Sequence, residues 1–334
     1  MSARRALVTG ATGGLGLALV EALLAEGYAV RATGRNAAAG ARLTGLGAEF
    51  APADLTDPAA LPALVEGQAA IFHAAALSSP WGPVAEFKAV NVDATRALLA
   101  ASRAAGAESF IYVSTPSIYA APRDQLDLTE GSPLPPRFAN AYAATKYEAE
   151  RLVLAAHGPG FAAMAVRPRA LVGPDDAVLL PRLVRLARRG RFPLFRGGRA
   201  LLELTDVRDA ARALVAADRE RSRAGGLAFN VSGGRPQPIR EMVTILCREL
   251  GLNPRLVEVP YPVALAGAAV LETVCARLPG RPEPPATVYG VQTLAFSQTF
   301  DMTRAREVLG FAPAYRWEDG LDRAARAWRT SGAL

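Results

Sequence analysis

Tyr142 and Lys146 stand four residues apart in Ala-Tyr-Ala-Ala-Thr-Lys, and that spacing is one helical turn. On a helix the two side chains share a face, where a phenol could exchange a proton and a compact ammonium could sit beneath a bound ribose. Lys146 is one of only two lysines in 334 residues, in a chain that otherwise uses arginine for its basic groups. An ammonium kept against that bias suits a point charge that favours phenolate and brings the tyrosine, normally titrating near ~10, towards working pH. The alternative is a chance pair on a solvated helix surface.

A second constellation lies at the start. The apolar run Ala6-Leu-Val-Thr is followed by Gly10-Ala-Thr12-Gly13-Gly14-Leu15-Gly16 and then by a helix pattern. Small residues between a strand and a helix let the backbone approach a pyrophosphate, which the helix N-terminus stabilises. The spacing Gly-x-x-Gly-x-x-Gly differs from the common Gly-x-Gly-x-x-Gly fingerprint. The next strand, Ala29 to Thr33, ends in Gly34-Arg35-Asn36 with no acid for a ribose 2′-hydroxyl. That favours NADP(H), with Arg35 on the 2′-phosphate, over NAD(H), in which Arg35 would stack on adenine instead.

These residues need a scaffold, and the chain alternates short apolar runs with alanine-leucine helices from Ala6 to Arg167, which implies βαβ units. A doubly wound parallel α/β sheet is expected, a Rossmann architecture, with a smaller discontinuous substrate domain. The expected division gives 1–169 plus about 201–234 to the dinucleotide-binding domain, and about 170–200 plus 235–334 to the substrate-binding domain. Leu201 to Thr205, Asp206 to Asp218 and Leu227 to Val231 read as a partial return to the sheet, and helices are expected at Asn91 to Ala105 and Tyr142 to Ala156.

Net charge is +7, but the arginines are interspersed with acids, which argues against a nucleic-acid partner. The dense basic run from Arg182 to Arg199 reads as a solvated helix face or a contact for an anionic ligand. Two cysteines, Cys247 and Cys275, and two histidines, His73 and His157, offer neither a disulfide framework nor metal-ligand spacing. The opening residues run straight into a strand, so no signal peptide is expected and a cytoplasmic location fits. The apolar stretch Pro262 to Leu278 is short for a membrane span. It is expected as a helix of the substrate domain, with peripheral membrane contact the alternative.

Thr9-Gly10-Ala-Thr-Gly13-Gly-Leu-Gly16, Asp54-Leu-Thr-Asp57, Phe72-His-Ala-Ala-Ala76, Tyr112-Val-Ser-Thr115 and Tyr142-x-x-x-Lys146 together resemble the extended short-chain dehydrogenase/reductase family. Val166-Arg-Pro168 and Phe229-Asn-Val-Ser-Gly233 extend the resemblance over most of the chain. It implies that a hydroxyl at the end of the fifth strand joins Tyr142 and Lys146 in catalysis. Aligning Ile118-Tyr119-Ala120 with the family's Val-Tyr-Gly gives that role to Thr115, with Ser114 and Ser117 as alternatives. The resemblance further implies Asp54 and Leu55 beside adenine, Ala74, Ala75 and Ala76 along the cofactor, Pro168 beside nicotinamide, and a homodimer through the two long helices. His73 is expected to pack at a strand end. Within the family the chain is similar to the 3β-hydroxysteroid dehydrogenase-like and 2-alkyl-3-oxoalkanoate reductase branch. An oxidoreductase acting on a hydrophobic ketone or secondary alcohol is therefore expected, with a nucleotide-sugar 4-epimerase or dehydratase, or a non-catalytic redox sensor, as rivals.

Overall fold

The computed structural model describes residues 3–331. Strand β1 (Arg5–Thr9) is apolar on both sides, and Ala6, Leu7 and Val8 are fully buried, as a central parallel strand requires. Its side chains alternate between two cores. Ala6 and Val8 meet helix α1 (Gly14–Ala25), while Leu7 joins Ile71 and Phe110 on the opposite face. The other sheet strands are β2 (Ala29–Thr33), β3 (Glu49–Phe50), β4 (Ala70–His73), β5 (Ser109–Val113), β6 (Ala162–Pro168) and β7 (Ala228–Val231). All pairs are parallel, in the order β7-β6-β5-β4-β1-β2-β3. The fold is thus a doubly wound Rossmann-type sheet, and its winding reverses at β1. A crevice must open there, beyond the C-terminal ends of β1 and β4.

The expected helix from Asn91 to Ala105 is broken near its start. A π-turn spans Ala89–Asp93, and the regular helix α2 runs only over Ala94–Ala104. Thr95 donates its hydroxyl to the Asn91 carbonyl at 2.7 Å, and the Asn91 amide side chain is engaged with Leu77. Such local bonds compete with the regular ladder, and π-turns recur at functional sites. The helix carrying Tyr142 and Lys146, α3 (Ala141–Ala155), is capped by Asn140, whose side-chain oxygen accepts from Ala143 N at 2.8 Å.

One expected element differs. The stretch 201–205 does not return to the main sheet: Leu201–Leu202 pairs with Gln237–Pro238 and Gln298, and Thr205–Asp206 pairs with Leu171–Val172. The strand that pairs with the outer edge of β6 is β7, not this segment. A separate apolar core gathers Val172, Leu180, Phe192, Leu246, Trp317 and Leu321. A helix at Tyr261–Arg277 follows, as expected from the apolar stretch, and irregular chain runs to the helix Val288–Ala295. Among the described residues, no helix is long and apolar enough to cross a membrane.

Candidate active site

The loop after β1 is shaped for a close neighbour. Gly10 has φ +65°, and a Cβ there would lie 2.7 Å from Ala75 N, so only glycine fits. At Gly13 the nearest protein atom to an added Cβ is 3.5 Å away, and the residue borders the crevice. Helix α1 has no side-chain cap, which leaves its first N–H groups for an anion. These features fit a dinucleotide pyrophosphate.

A buried polar chain ties this loop to the helix that carries Tyr142 and Lys146. Thr9 Oγ1 accepts from Ala75 N at 3.2 Å and meets His73 Nδ1 at 2.7 Å. Thr95 Oγ1 donates to the Asn91 carbonyl, so it accepts from His73 Nε2 at 2.8 Å. Those bonds assign His73 as the neutral Nε2–H tautomer. Burial first, and the Lys146 charge second, push its pKa down to about 3. Asn91 then bridges Leu77 on one side and Thr145 Oγ1, at 3.2 Å, on the other. His73 therefore positions the site and carries no exposed chemistry.

Tyr142 faces an apolar-lined cavity of about 600 Å³ that also borders Gly13, Ala74, Ala76, Thr115 and Pro168. The side-chain hydroxyls of Ser78 and Thr115 are its polar neighbours. Burial raises its pKa; the two hydroxyl partners oppose that rise, and Tyr289 adds to it. Thr115 Oγ1 donates to Ser117 Oγ at 3.0 Å, and Ser117 Oγ meets Tyr289 Oη at 2.8 Å. A row of hydroxyls thus runs from Thr115 through Ser117 to Tyr289 along the cavity wall.

Lys146 is tethered to the neighbouring strand. Its side chain passes under the sheet end, where Nζ donates to the Val113 carbonyl at 2.5 Å and lies 4.1 Å from the Tyr112 ring centroid. The group is buried, and desolvation lowers its pKa to about 7 against a small upward pull from Glu150. The groups acting on Tyr142 are Ser78, Thr115 and Tyr289.

Of the expected site residues, Gly10, Gly13, Gly14, Leu15, Gly16, Ala74, Ala76, Thr115, Tyr142, Lys146 and Pro168 border this one cavity. Ala75 backs the glycine turn. Thr12 packs against Gly34 at the end of β2. Arg35 and Asn36 are exposed there, and Asn36 caps the next helix through Ala39 N. Asp54 is exposed and holds Thr56, while Leu55 is half-buried. Ser114, the alternative hydroxyl, is buried with its Oγ unpartnered. Ser78, Tyr289 and Arg169 were not expected. Ser78 follows the Ala74–Ala76 run closely enough to have been suspected; Tyr289 arrives from a helix far along the chain, where no local pattern marks it.

Comparison with known proteins agrees with this geometry. The model of the NAD dependent epimerase/dehydratase family matches residues 6–232. The 4-hydroxy-2-methyl-3-oxo-4-farnesyl-3,4-dihydroquinoline-1-oxide ketoreductase of Stigmatella aurantiaca is 36% identical over 319 residues, 95% of each chain. The 2-alkyl-3-oxoalkanoate reductase of Stenotrophomonas maltophilia is 35% identical over 324 residues, 95% of this chain and 97% of the relative. Among solved structures, MoeE5 in complex with UDP-glucuronic acid and NAD superposes with a TM-score of 0.75 at 26% identity, over 98% of this chain and 99% of that one. With such identity across nearly its whole length, the chain belongs to the NAD-dependent epimerase/dehydratase family and is an oxidoreductase of the extended short-chain dehydrogenase/reductase type.

Proposed function

We propose that the protein interconverts a hydrophobic ketone and its secondary alcohol, a 3-oxo lipid or 3β-hydroxysteroid-like molecule, with NADP(H) favoured as cofactor. The observation that carries this reading is that Tyr142 and Thr115 border one apolar-lined cavity together with the glycine loop. Leu183, Leu186, Phe195, Leu204, Met242 and Leu246 line the outer part, and burial against them is worth roughly 25 cal/mol per Å² of apolar surface.

When bound, the dinucleotide supplies or accepts the hydride. In reduction, Tyr142 gives its hydroxyl proton to the carbonyl oxygen, while Thr115 holds that same oxygen by a hydrogen bond. The raised pKa of Tyr142 keeps the proton available at neutral pH. Lys146 serves the ribose, and Arg35 the 2′-phosphate. Ala74 to Ala76, Asp54 and Leu55 line the path of the remaining cofactor. Segments 170–200 and 235–334 form the substrate side. The same proposal includes a homodimer through α2 and α3, which sedimentation at micromolar concentration tests.

A nucleotide-sugar reading draws on Arg182, Arg185 and Arg189 at the cavity border, which could hold a diphosphate. Against it, the bordering acids are engaged: Asp176 accepts from the Val178, Leu179 and Leu180 amides, and Glu283 pairs with Arg182. A dehydratase acid beside Thr115 is missing from the cavity lining. Following NADPH absorbance with hydrophobic 3-oxo compounds tests the proposal. UDP-sugar conversion without net cofactor change would replace it.

A further inference from the structure

The Thr115 hydroxyl is already occupied inside its own turn. It accepts from the Ser117 amide at 3.1 Å and donates its proton to Ser117 Oγ at 3.0 Å. A hydroxyl has one proton to give, so Thr115 in this arrangement has none for a substrate oxygen.

The second group on Ser117 comes from across the cavity. Tyr289 Oη lies 2.8 Å from Ser117 Oγ, and both residues line the cavity together with Thr115 and Tyr142. Tyr289 stands in the first turn of the helix Val288–Ala295, which is fixed at two points. Thr287 Oγ1 caps it by accepting from Gly290 N at 3.0 Å, and Glu272 of the helix Tyr261–Arg277 accepts from Val288 N at 2.8 Å. Val291 and Ala295 of the same helix are buried with Ala268 and Phe195. The phenol is therefore placed by segments far along the chain, whereas Thr115 and Ser117 belong to the turn after β5.

Either oxygen of the Ser117–Tyr289 pair can be the donor, and the choice decides where the Thr115 proton goes. When Ser117 gives to Tyr289, it goes on accepting from Thr115, and the row points away from the substrate. When Tyr289 gives to Ser117, Ser117 can turn its own proton to the second lone pair of Thr115, and the Thr115 proton is released. A phenol is a better donor and a poorer acceptor than an aliphatic hydroxyl, and hydrogen bonds in a row reinforce one another. An oxygen arriving beside Thr115 therefore favours the second direction.

We propose that Tyr289 is a positioning residue: acting through Ser117, it turns the Thr115 hydroxyl towards the reacting oxygen. This rests on the oxidoreductase reading above and adds to it a residue from the helix Val288–Ala295. No covalent bond is made or broken in the row; three hydroxyls rotate and each oxygen keeps its own proton. The proton that reaches the product still comes from Tyr142.

The test follows NADPH oxidation by the full-length enzyme with ethyl 3-oxodecanoate. Tyr289→Phe should lower kcat about 10- to 100-fold while NADPH affinity is retained. Adding Ser117→Ala to Tyr289→Phe should recover most of that loss, because Thr115 then has no acceptor within its turn. If Tyr289 only filled the cavity wall, the second truncation would widen the gap and slow the enzyme further, so the rescue separates direction from shape. An unchanged kcat in Tyr289→Phe, or a double variant no faster than the single one, overturns the proposal. Absence of any ketone turnover by the unaltered enzyme, with NADPH still bound, defeats the oxidoreductase reading instead. Calorimetric binding of decan-2-one to the NADP⁺ complex then judges Tyr289. Weaker binding in Tyr289→Phe that returns in the double variant supports the proposal, and equal binding in all three proteins rejects it.

Discussion

Lys146 Nζ donates a 2.5 Å hydrogen bond to the carbonyl oxygen of Val113, the last residue of β5. The lysine is thus anchored to the strand that leads to Thr115, and the strand end and α3 are held as one unit. Holding an ammonium there has a cost, because burial disfavours its charged form.

That cost gives a pH dependence. Lys146 titrates at about 7 in the folded protein against 10.5 for the free side chain, so between those values the unfolded chain binds the extra proton. Stability of the cofactor-free protein should therefore rise with pH from about 7 to about 10 and be lost in the other direction. Lys146→Met should flatten this rise and be the more stable protein at neutral pH, while losing reductase activity. Denaturant unfolding at pH 7 and 9.5 measures it; an undiminished slope in Lys146→Met would exclude Lys146 as the source. Lys146→Arg should fold yet lose most activity, because a rigid guanidinium cannot reproduce a compact ammonium in this space.

His73 works in a lower window. Its folded value of about 3 lies below the ordinary 6.5, so stability is complete above pH 6.5 and declines as pH falls towards 3. His73→Leu should remove this acid-side decline and cost about 2–3 kcal/mol at neutral pH, since Thr9 and Thr95 lose their shared partner. Equilibrium unfolding at pH 4.5 and 7.5 checks both signs.

Cofactor choice turns on an exposed residue. Arg35 stands at the end of β2 with no acid before it in that turn. Arg35→Ser should weaken NADPH binding roughly 10- to 100-fold and change NADH binding little, consistent with the loss of a charge-assisted phosphate contact. Fluorescence titration gives both constants. Tighter NADH than NADPH binding by the unaltered protein would reverse the assignment.

The sheet was legible because each strand is a short, nearly uninterrupted apolar run, and the glycine loop because strand, glycines and helix follow one another directly. Tyr142 and Lys146 were legible for a similar reason, as both lie on one helix. What sequence could not reveal came from chain segments that meet only after folding. Tyr289 and Ser117 are 172 positions apart yet hydrogen-bonded. The strand Gln125–Leu128 lies in irregular chain and forms only by pairing with Gln298–Phe300. The segment 201–205 carried a strand-like pattern, but pattern alone does not say which edge is free.

Among the three hydroxyls after β5, Thr115 is the one whose side chain acts on the Tyr142 phenol. Thr115→Val should lower kcat/KM about 100-fold with cofactor affinity retained. Ser114→Ala should stay within about threefold, as its buried Oγ has no partner. Steady-state rates of both variants decide, and the reverse ranking would transfer the role to Ser114.

The central claim is that Tyr142 moves the proton, and the most direct measurement is single-turnover NADPH oxidation with a hydrophobic 3-oxo substrate by the unaltered enzyme and Tyr142→Phe. The account predicts that Tyr142→Phe binds NADPH normally and reacts about 10²- to 10⁴-fold more slowly. Equal rates for the two proteins would contradict it.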